Sequence, residues 1–250
     1  MSSEVRIVPI EGLPEVKPGD DLGAMLVSAL RAGGRELVDH DIVVIAQKVV
    51  SKAEGRMVDL TTVRPGPEAA RLAARDGKDA RLAQLVLDEA ADVVRMERGV
   101  WIVRTRHGFV CANAGIDQSN APPDHAILLP IDADESARRL KQALDEAFNA
   151  QVAVIISDTF GRPWRLGQVN VAVGLAGMAA VLDYRGQVDD SGRPLKVTAI
   201  AVADELAAAA ELVMGKTRRV AAALVRGFRP PPGDGRARDL VRPVEEDLFR

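Results

Sequence analysis

Cysteine occurs once in the 250 residues and histidine three times, and aromatic side chains make up 3% of the chain. The lone thiol, Cys111, excludes an intrachain disulfide framework and any multi-cysteine zinc site. It lies in an apolar segment, where a small buried thiol fits better than a nucleophile. His40, His107 and His125 are too few and too scattered for a soft-metal cluster, so a metal bound here must be held by oxygen. Sparse aromatics argue against base-stacking platforms. A net charge of -3 argues against tracking a phosphate backbone. No nucleic-acid partner is expected. No apolar run approaches the roughly eighteen residues of a membrane span. The opening MSSEVRIVPI lacks the charged-then-apolar order of a secretory leader. The expectation is a cytoplasmic protein without a membrane partner. Hydrophobic residues at 47% and charged residues at 28% are a globular composition. The length suits one large domain or two interlocked smaller ones.

Two fully apolar segments, Asp41 to Ala46 and Val152 to Ser157, read as strands buried on both faces. Val5 to Ile10, Ile127 to Leu129 and Val220 to Arg226 read as further strands, and Asp92 to Met96 with Val100 to Thr105 as a hairpin around Glu97-Arg98-Gly99. Helices are expected after the acids Asp20-Asp21, across 67–91 with a break near Gly77, from the Asp132 cap to about Phe148, and within Ala199 to Met214. Gly167 to Val181 is rich in small residues, which suits close backbone packing, and Asp183 to Pro194 reads as a turn region. Residues 1–228 form the expected catalytic unit. RPPPGDGRARD and the rest of 229–250 have the proline, glycine and charge content of a flexible tail.

Chemistry concentrates in two clusters. His107 to Asn120, HGFVCANAGIDQSN, starts apolar and ends with Asn113, Asp117, Gln118, Ser119 and Asn120. So many polar groups are costly to bury without partners, although the same residue types also make ordinary turns. The second cluster, Asp158 to Arg165 (DTFGRPWR), follows the second apolar strand, the usual place for ligand chemistry in α/β folds. Asp117 and Asp158, with Thr159, Asn120 and Ser119 nearby, suit Mg2+ or Mn2+, hard ions that take oxygen ligands and keep water. Lys48, Lys52, Arg162 and Arg165 offer charge to phosphate or carboxylate. Gln47 to Arg56 reads equally well as a solvated hairpin and as an anion-binding loop. Two buried acids each paired with an arginine would also produce these clusters. Gly215-Lys216-Thr217 is not a P-loop, because Ala210 stands where the earlier glycine is required and the tripeptide ends a helix. GxGxxG, GxSxG and HExxH are absent. From the residues, the reading is a metal- and phosphate-binding α/β enzyme.

Six blocks in order, GLPEVKPGDDL, AQKVVSKAEGR, HGFVCANAGIDQSN, LLPIDADESA, SDTFGRPWRLG and AVADELAAAAELVMGK, resemble the coenzyme F-420:gamma-glutamyl ligase family over residues 10 to about 228. The resemblance implies a GTP-dependent ligase that adds L-glutamate to coenzyme F-420-0 and extends a gamma-linked tail. It implies a mixed α+β fold of two interlocked subdomains and an intertwined homodimer. It also implies two divalent ions per subunit, Mg2+ or Mn2+, and potassium as an activator. Leu13, Pro14, Glu15 and Val16, with Gln47, Lys48 and Lys52, would hold the guanine nucleotide, and Asn120 would contact it. Asp117, Asp158 and Thr159 would ligate metal, Arg162 would assist catalysis, and Met214, Gly215, Lys216 and Thr217 would close over the nucleotide. Here the chain departs from some relatives, which carry an acid and glycines after Met-Gly; this one reads Met214-Gly215-Lys216-Thr217-Arg218-Arg219, and Lys216 is a candidate phosphate partner. Some bacterial relatives carry a fused nitroreductase-like domain, for which this chain is too short; only the ligase half is expected. A metal-dependent phosphohydrolase and a GTP-binding regulatory module are the alternatives.

Overall fold

A computed structural model describes residues 4–247. In chain order its regular elements are β1 (Arg6–Ile10), α1 (Leu22–Ala32), β2 (Ile42–Ala46), α2 (Gln47–Ala53), β3 (Met57–Asp59), α3 (Pro67–Asp76), α4 (Ala80–Glu89), β4 (Ala90–Glu97), β5 (Val100–Thr105) and β6 (Val110–Ala112). They continue with β7 (His125–Ile127), α5 (Ala133–Phe148), β8 (Ala153–Arg162), β9 (Arg165–Ala176), β10 (Leu182–Asp183), β11 (Ala199–Ile200), α6 (Val202–Met214) and β12 (Ala222–Arg226). The architecture is mixed α+β.

The main sheet has the order β1-β12-β2-β8-β9. Its centre is the parallel pair β2 and β8, in register from Ile42–Ala153 to Ala46–Ser157; all other neighbours are antiparallel. Ile42 to Ile45 and Val154 to Ile156 are each 0% exposed. Successive strand residues point to opposite faces, so this burial means both faces are covered. Helices α1, α5 and α6 join the strands in one large core. Gly174 lets α5 approach β9, since a Cβ there would lie 2.4 Å from the Ala133 carbonyl oxygen. A second, smaller core under α3, α4 and the β4-β5-β6 sheet centres on Trp101. The Trp101 indole donates to Asp76 at 2.5 Å.

Local chemistry sets the helix ends. The Asp21 side chain accepts from the Ala24 amide, and that of Asp132 from the Glu135 amide. Gly77 closes α3 in the left-handed conformation (φ 66°). At the start of central strand β2, Asp41 is 1% exposed and takes a two-point contact from Arg226 at the end of β12, with Nε 2.8 Å from Oδ1 and Nη2 2.5 Å from Oδ2.

Four expectations need correction. The first seven residues of Gln47 to Arg56 are helix, neither hairpin nor loop. QKVVSKA contains no glycine or proline, and it runs straight from β2 into helix α2, burying Val50, Ser51 and Lys52. Strand β8 does not stop at Ser157; it continues through Asp158 to Arg162 because β9 pairs with every residue of that extension. Strand β7 spans His125–Ile127, earlier than the expected Ile127 to Leu129, because its pairing with β3 runs from Asp59–His125 to Met57–Ile127. Within the expected tail, residues 231–237 are docked, not loose. Pro231 O accepts from the Ala179 amide, the Gly235 amide donates to Met178 O, and the amide of buried Ala237 donates to Asp134.

Candidate active site

The site is assembled by strand register. Ala46 lies opposite Ser157 in the parallel pair, so Lys48 in the first turn of α2 and Asp158, the next residue of β8, emerge at the same end of the sheet. The Asp117 segment reaches them through β7, bonded to Ile127 on both sides of a bridge (2.8 and 3.1 Å). Lys48 Nζ stands 2.6 Å from Asp117 Oδ2 and also donates to Ser119 Oγ. The Ser119 amide and hydroxyl donate to Asp117 at 2.6 and 2.9 Å, an Asx-type turn. Burial alone would push the Asp117 carboxyl up, but Lys48 and these two hydrogen bonds outweigh it and hold it below its ordinary value.

Asp158 is the opposite case. It makes no ion pair among the described residues, and burial pushes its carboxyl up to about 6. The Thr159 amide and the charges of Lys48 and Lys216 pull it back, while Asp117 adds repulsion. The residue is half-buried. The Cys111 thiol is pushed up to about 12, first by burial and then by the charge of Asp158. It is protonated at neutral pH and serves as packing, as expected from sequence.

Beyond Asp158 the register places Thr159 opposite Asn170. Thr159 Oγ1 donates to Asn170 Oδ1 at 2.7 Å, and the Asn170 amide donates to Glu211 of α6 at 3.1 Å. Gly215 (φ 62°) turns the chain at the end of α6. From there Lys216 Nζ donates to Thr159 Oγ1 and lies 3.7 Å from Glu211 Oε1.

The nucleotide-site expectations fall on neighbouring surfaces. Leu13, Pro14, Glu15 and Val16 form the loop after β1, with Val16 buried. Glu15 meets Lys52 of α2 at 2.5 Å. Gln47 is 1% exposed; its Oε1 accepts from Ser51, while Nε2 is buried without an acceptor among the described residues. A donor held dry and unmatched suits a ligand oxygen. Asn120 (φ 59°) is exposed beside the Asp117 turn, and Thr217 is exposed beyond Met214 and Gly215.

Two residues lie apart from this cluster. Arg162 ends β8 at the hairpin tip, four residues past Asp158 and so about 13 Å along the strand. Its Nη2 donates to Leu166 O at 2.8 Å. Asn113 is turned away and accepts from Lys78 at 3.0 Å, serving the smaller core. Sequence reading missed Asn170 and Glu211 as site residues. The available signal was a single amide inside the apolar run of β9 and an acid on a helix made mostly of alanine.

Among the described residues no three His, Cys, Asp or Glu side chains converge as a complete metal cage. Asp117, Asp158 and Thr159 still fit Mg2+ or Mn2+, which are commonly held by one or two carboxylates with water and substrate phosphate completing the shell.

The family described as F420-0:Gamma-glutamyl ligase matches residues 12–227. The coenzyme F420:L-glutamate ligase of Methanothermobacter thermautotrophicus is 47% identical, covering 98% of this chain and 99% of its own. The enzymes of the same name from Methanopyrus kandleri and Methanocaldococcus jannaschii are 44% and 41% identical, over 98% and 100% of this chain and equal shares of theirs. With the match running through every element that builds the site, this chain belongs to the F420-0:gamma-glutamyl ligase family.

Proposed function

We propose that this protein joins L-glutamate to coenzyme F-420-0 in coenzyme F-420 biosynthesis, using GTP, and extends the gamma-linked tail. The observation that carries the reading is the meeting of Asp117, Asp158 and Thr159 with Lys48 and Lys216 at one end of the sheet, in a chain of this family. Two carboxylates and a hydroxyl beside two ammonium groups make a site for a cation and a polyphosphate together. Among the described residues there is no thiolate or other activated nucleophile there, which suits chemistry performed between substrates.

A carboxylate is a poor electrophile and must be activated before an amine will displace oxygen from it. In the proposed route an oxygen of the acceptor carboxylate attacks the GTP gamma-phosphorus, and the bond to the beta-phosphate oxygen breaks, releasing GDP. The glutamate amine then attacks the acyl carbon, the carbon–oxygen bond breaks, and phosphate leaves with one acceptor oxygen while the amine loses its protons to solvent. A Mg2+ or Mn2+ ion at Asp117, Asp158 and Thr159 would supply Lewis-acid neutralisation of phosphate charge. Lys48 and Lys216 add fixed positive charge where negative charge develops. Gln47 Nε2 offers its unmatched donor to the nucleotide, with 13–16 and Asn120 along its path. Potassium activation and an intertwined homodimer belong to the same reading. A partner would also cover Trp164 and Leu166, which are 78% and 97% exposed at the hairpin tip.

The test is incubation of the full chain with GTP, Mg2+, L-glutamate and F-420-0 labelled with oxygen-18 in its carboxylate. The expected result is a product heavier by glutamate residues and phosphate carrying one labelled oxygen. Phosphate released without glutamate addition would indicate a phosphohydrolase, and binding without turnover a regulatory module. Glutamylated product with unlabelled phosphate would exclude the acyl-phosphate route.

No helix among the described residues is long and apolar enough to cross a membrane.

A further inference from the structure

Asn170 is a buried amide, 4% exposed, in strand β9. A primary amide is costly to bury unless each of its groups is matched, and here the partners dictate one another's direction. Asn170 Nδ2 lies 3.1 Å from Glu211 Oε2 and 3.5 Å from Ser157 Oγ. A carboxylate can only accept, so the amide nitrogen must face Glu211 and the amide oxygen must face Thr159. That oxygen can only accept too, so at 2.7 Å the Thr159 hydroxyl must donate to it. Lys216 gives an independent check. An ammonium has donors only, and its contact with Thr159 Oγ1 requires that oxygen to accept on its other side. The single Thr159 proton is thus committed to Asn170.

We infer that Asn170 is a positioning residue of the cation site, holding the Thr159 proton away so that the Thr159 oxygen meets a divalent ion with lone pairs alone. The inference rests on the reading of Thr159 as a metal ligand proposed above. A free hydroxyl rotates to suit its surroundings, and some of its orientations turn the proton toward the ion. Asn170 removes those orientations before the ion arrives, and Glu211 acts through Asn170 by fixing which way the amide faces. Partners of this kind set the orientation and basicity of the oxygen or nitrogen that touches the metal. Lys216 does not oppose the arrangement. It meets Thr159 as Lys48 meets Asp117, an ammonium on an oxygen that faces positive charge, and both ammonium groups move to the phosphates when the ion binds.

The experiment titrates Mn2+ into the full chain with a saturating non-hydrolysable GTP analogue and reads free Mn2+ by electron paramagnetic resonance. Thr159→Val removes the ligand oxygen, and Asn170→Leu removes the amide while keeping its size. Each is expected to weaken Mn2+ binding by about 10- to 100-fold, in protein shown to be folded by thermal unfolding. Joined, they are expected to weaken it no further, because both remove one interaction. The paired exchange Asn170→Asp with Glu211→Gln keeps the net charge and the direction of the Thr159 proton, since the new carboxylate accepts from Thr159 and from the new amide. It is expected to bind Mn2+ at least as tightly as the wild type. Thr159→Val binding as tightly as the wild type would overturn the inference together with Thr159 as a ligand. A loss in Thr159→Val but not in Asn170→Leu, or a further loss when the two are joined, would overturn the inference alone. Where Asn170→Leu does not fold, the paired exchange decides, and a loss of about tenfold there would overturn the inference.

Discussion

Asp158→Asn abolishes ligation, lowering turnover by about 10³-fold or more, the scale of losing a preorganised charge-stabilising group, and leaves the protein as stable as before or more so. The two halves of this result come from the same geometry. Asp158 lies within β8 opposite Val171 and makes no ion pair among the described residues. The amide has the same shape, breaks no salt bridge, and removes a carboxylate that burial and Asp117 both disfavour. A residue kept charged against its surroundings is retained for what it binds, and its neutral isostere trades function for stability. Activity assays beside thermal unfolding decide the matter. Near-normal turnover would remove Asp158 from the site, and loss of the folded state would make it a structural residue.

Trp101→Ala destabilises the protein by about 3–5 kcal/mol, the usual cost of emptying a large aromatic from a core. Trp101 is 0% exposed and anchors the smaller core with Leu72, Ala73, Val86 and Val103. Its indole donates to Asp76, and Lys78 lies 5.4 Å from the ring centroid. Asp76 is held down to about 2 by Arg75 first and by the indole second. Trp101→Phe keeps most of the packing but loses that donor, so it should lie well above the alanine variant in denaturant midpoint. It should also let the Asp76 carboxyl rise toward its ordinary value. A depressed carboxylate stabilises above its unfolded value of 3.8 and loses that contribution as pH falls toward about 2. Equal midpoints for the two variants would show that packing around the ring contributes little.

Much of this molecule was legible because its signals are local. Asp21 and Asp132 as caps, Gly77 as a helix stop and the Glu97-Arg98-Gly99 hairpin are short-range chemistry, and each lies where the sequence placed it. The apolar runs around Val43 and Ile155 could only be central strands, and they are. Helix α2 was missed because its seven residues are too few to show a period. The extension of β8 past Ser157 was missed because β9 supplies the pairing, and strand polarity beyond the core depends on a partner distant in sequence. The same cause hid Asn170 and Glu211. Register sets Asn170 opposite Thr159, and α6 then brings Glu211 to Asn170; neither fact exists before the sheet does. Asp117 and Asp158 were recognisable as a pair by residue type, and both fall within the field of Lys48. Arg162 looked equivalent by spacing, but an extended strand carries it to the hairpin tip.

The central claim is that Asp117 and Asp158 together hold a divalent cation against the phosphates of a guanine nucleotide. The most direct measurement is a crystal of the full chain grown with Mn2+ and a non-hydrolysable GTP analogue, with anomalous scattering recorded at the manganese edge. The account predicts an anomalous peak bonded to both carboxylates and to a phosphate oxygen, with Lys48 drawn from Asp117 toward the phosphates. Nucleotide bound with no manganese at these two acids, or manganese bound elsewhere on the chain, would contradict it.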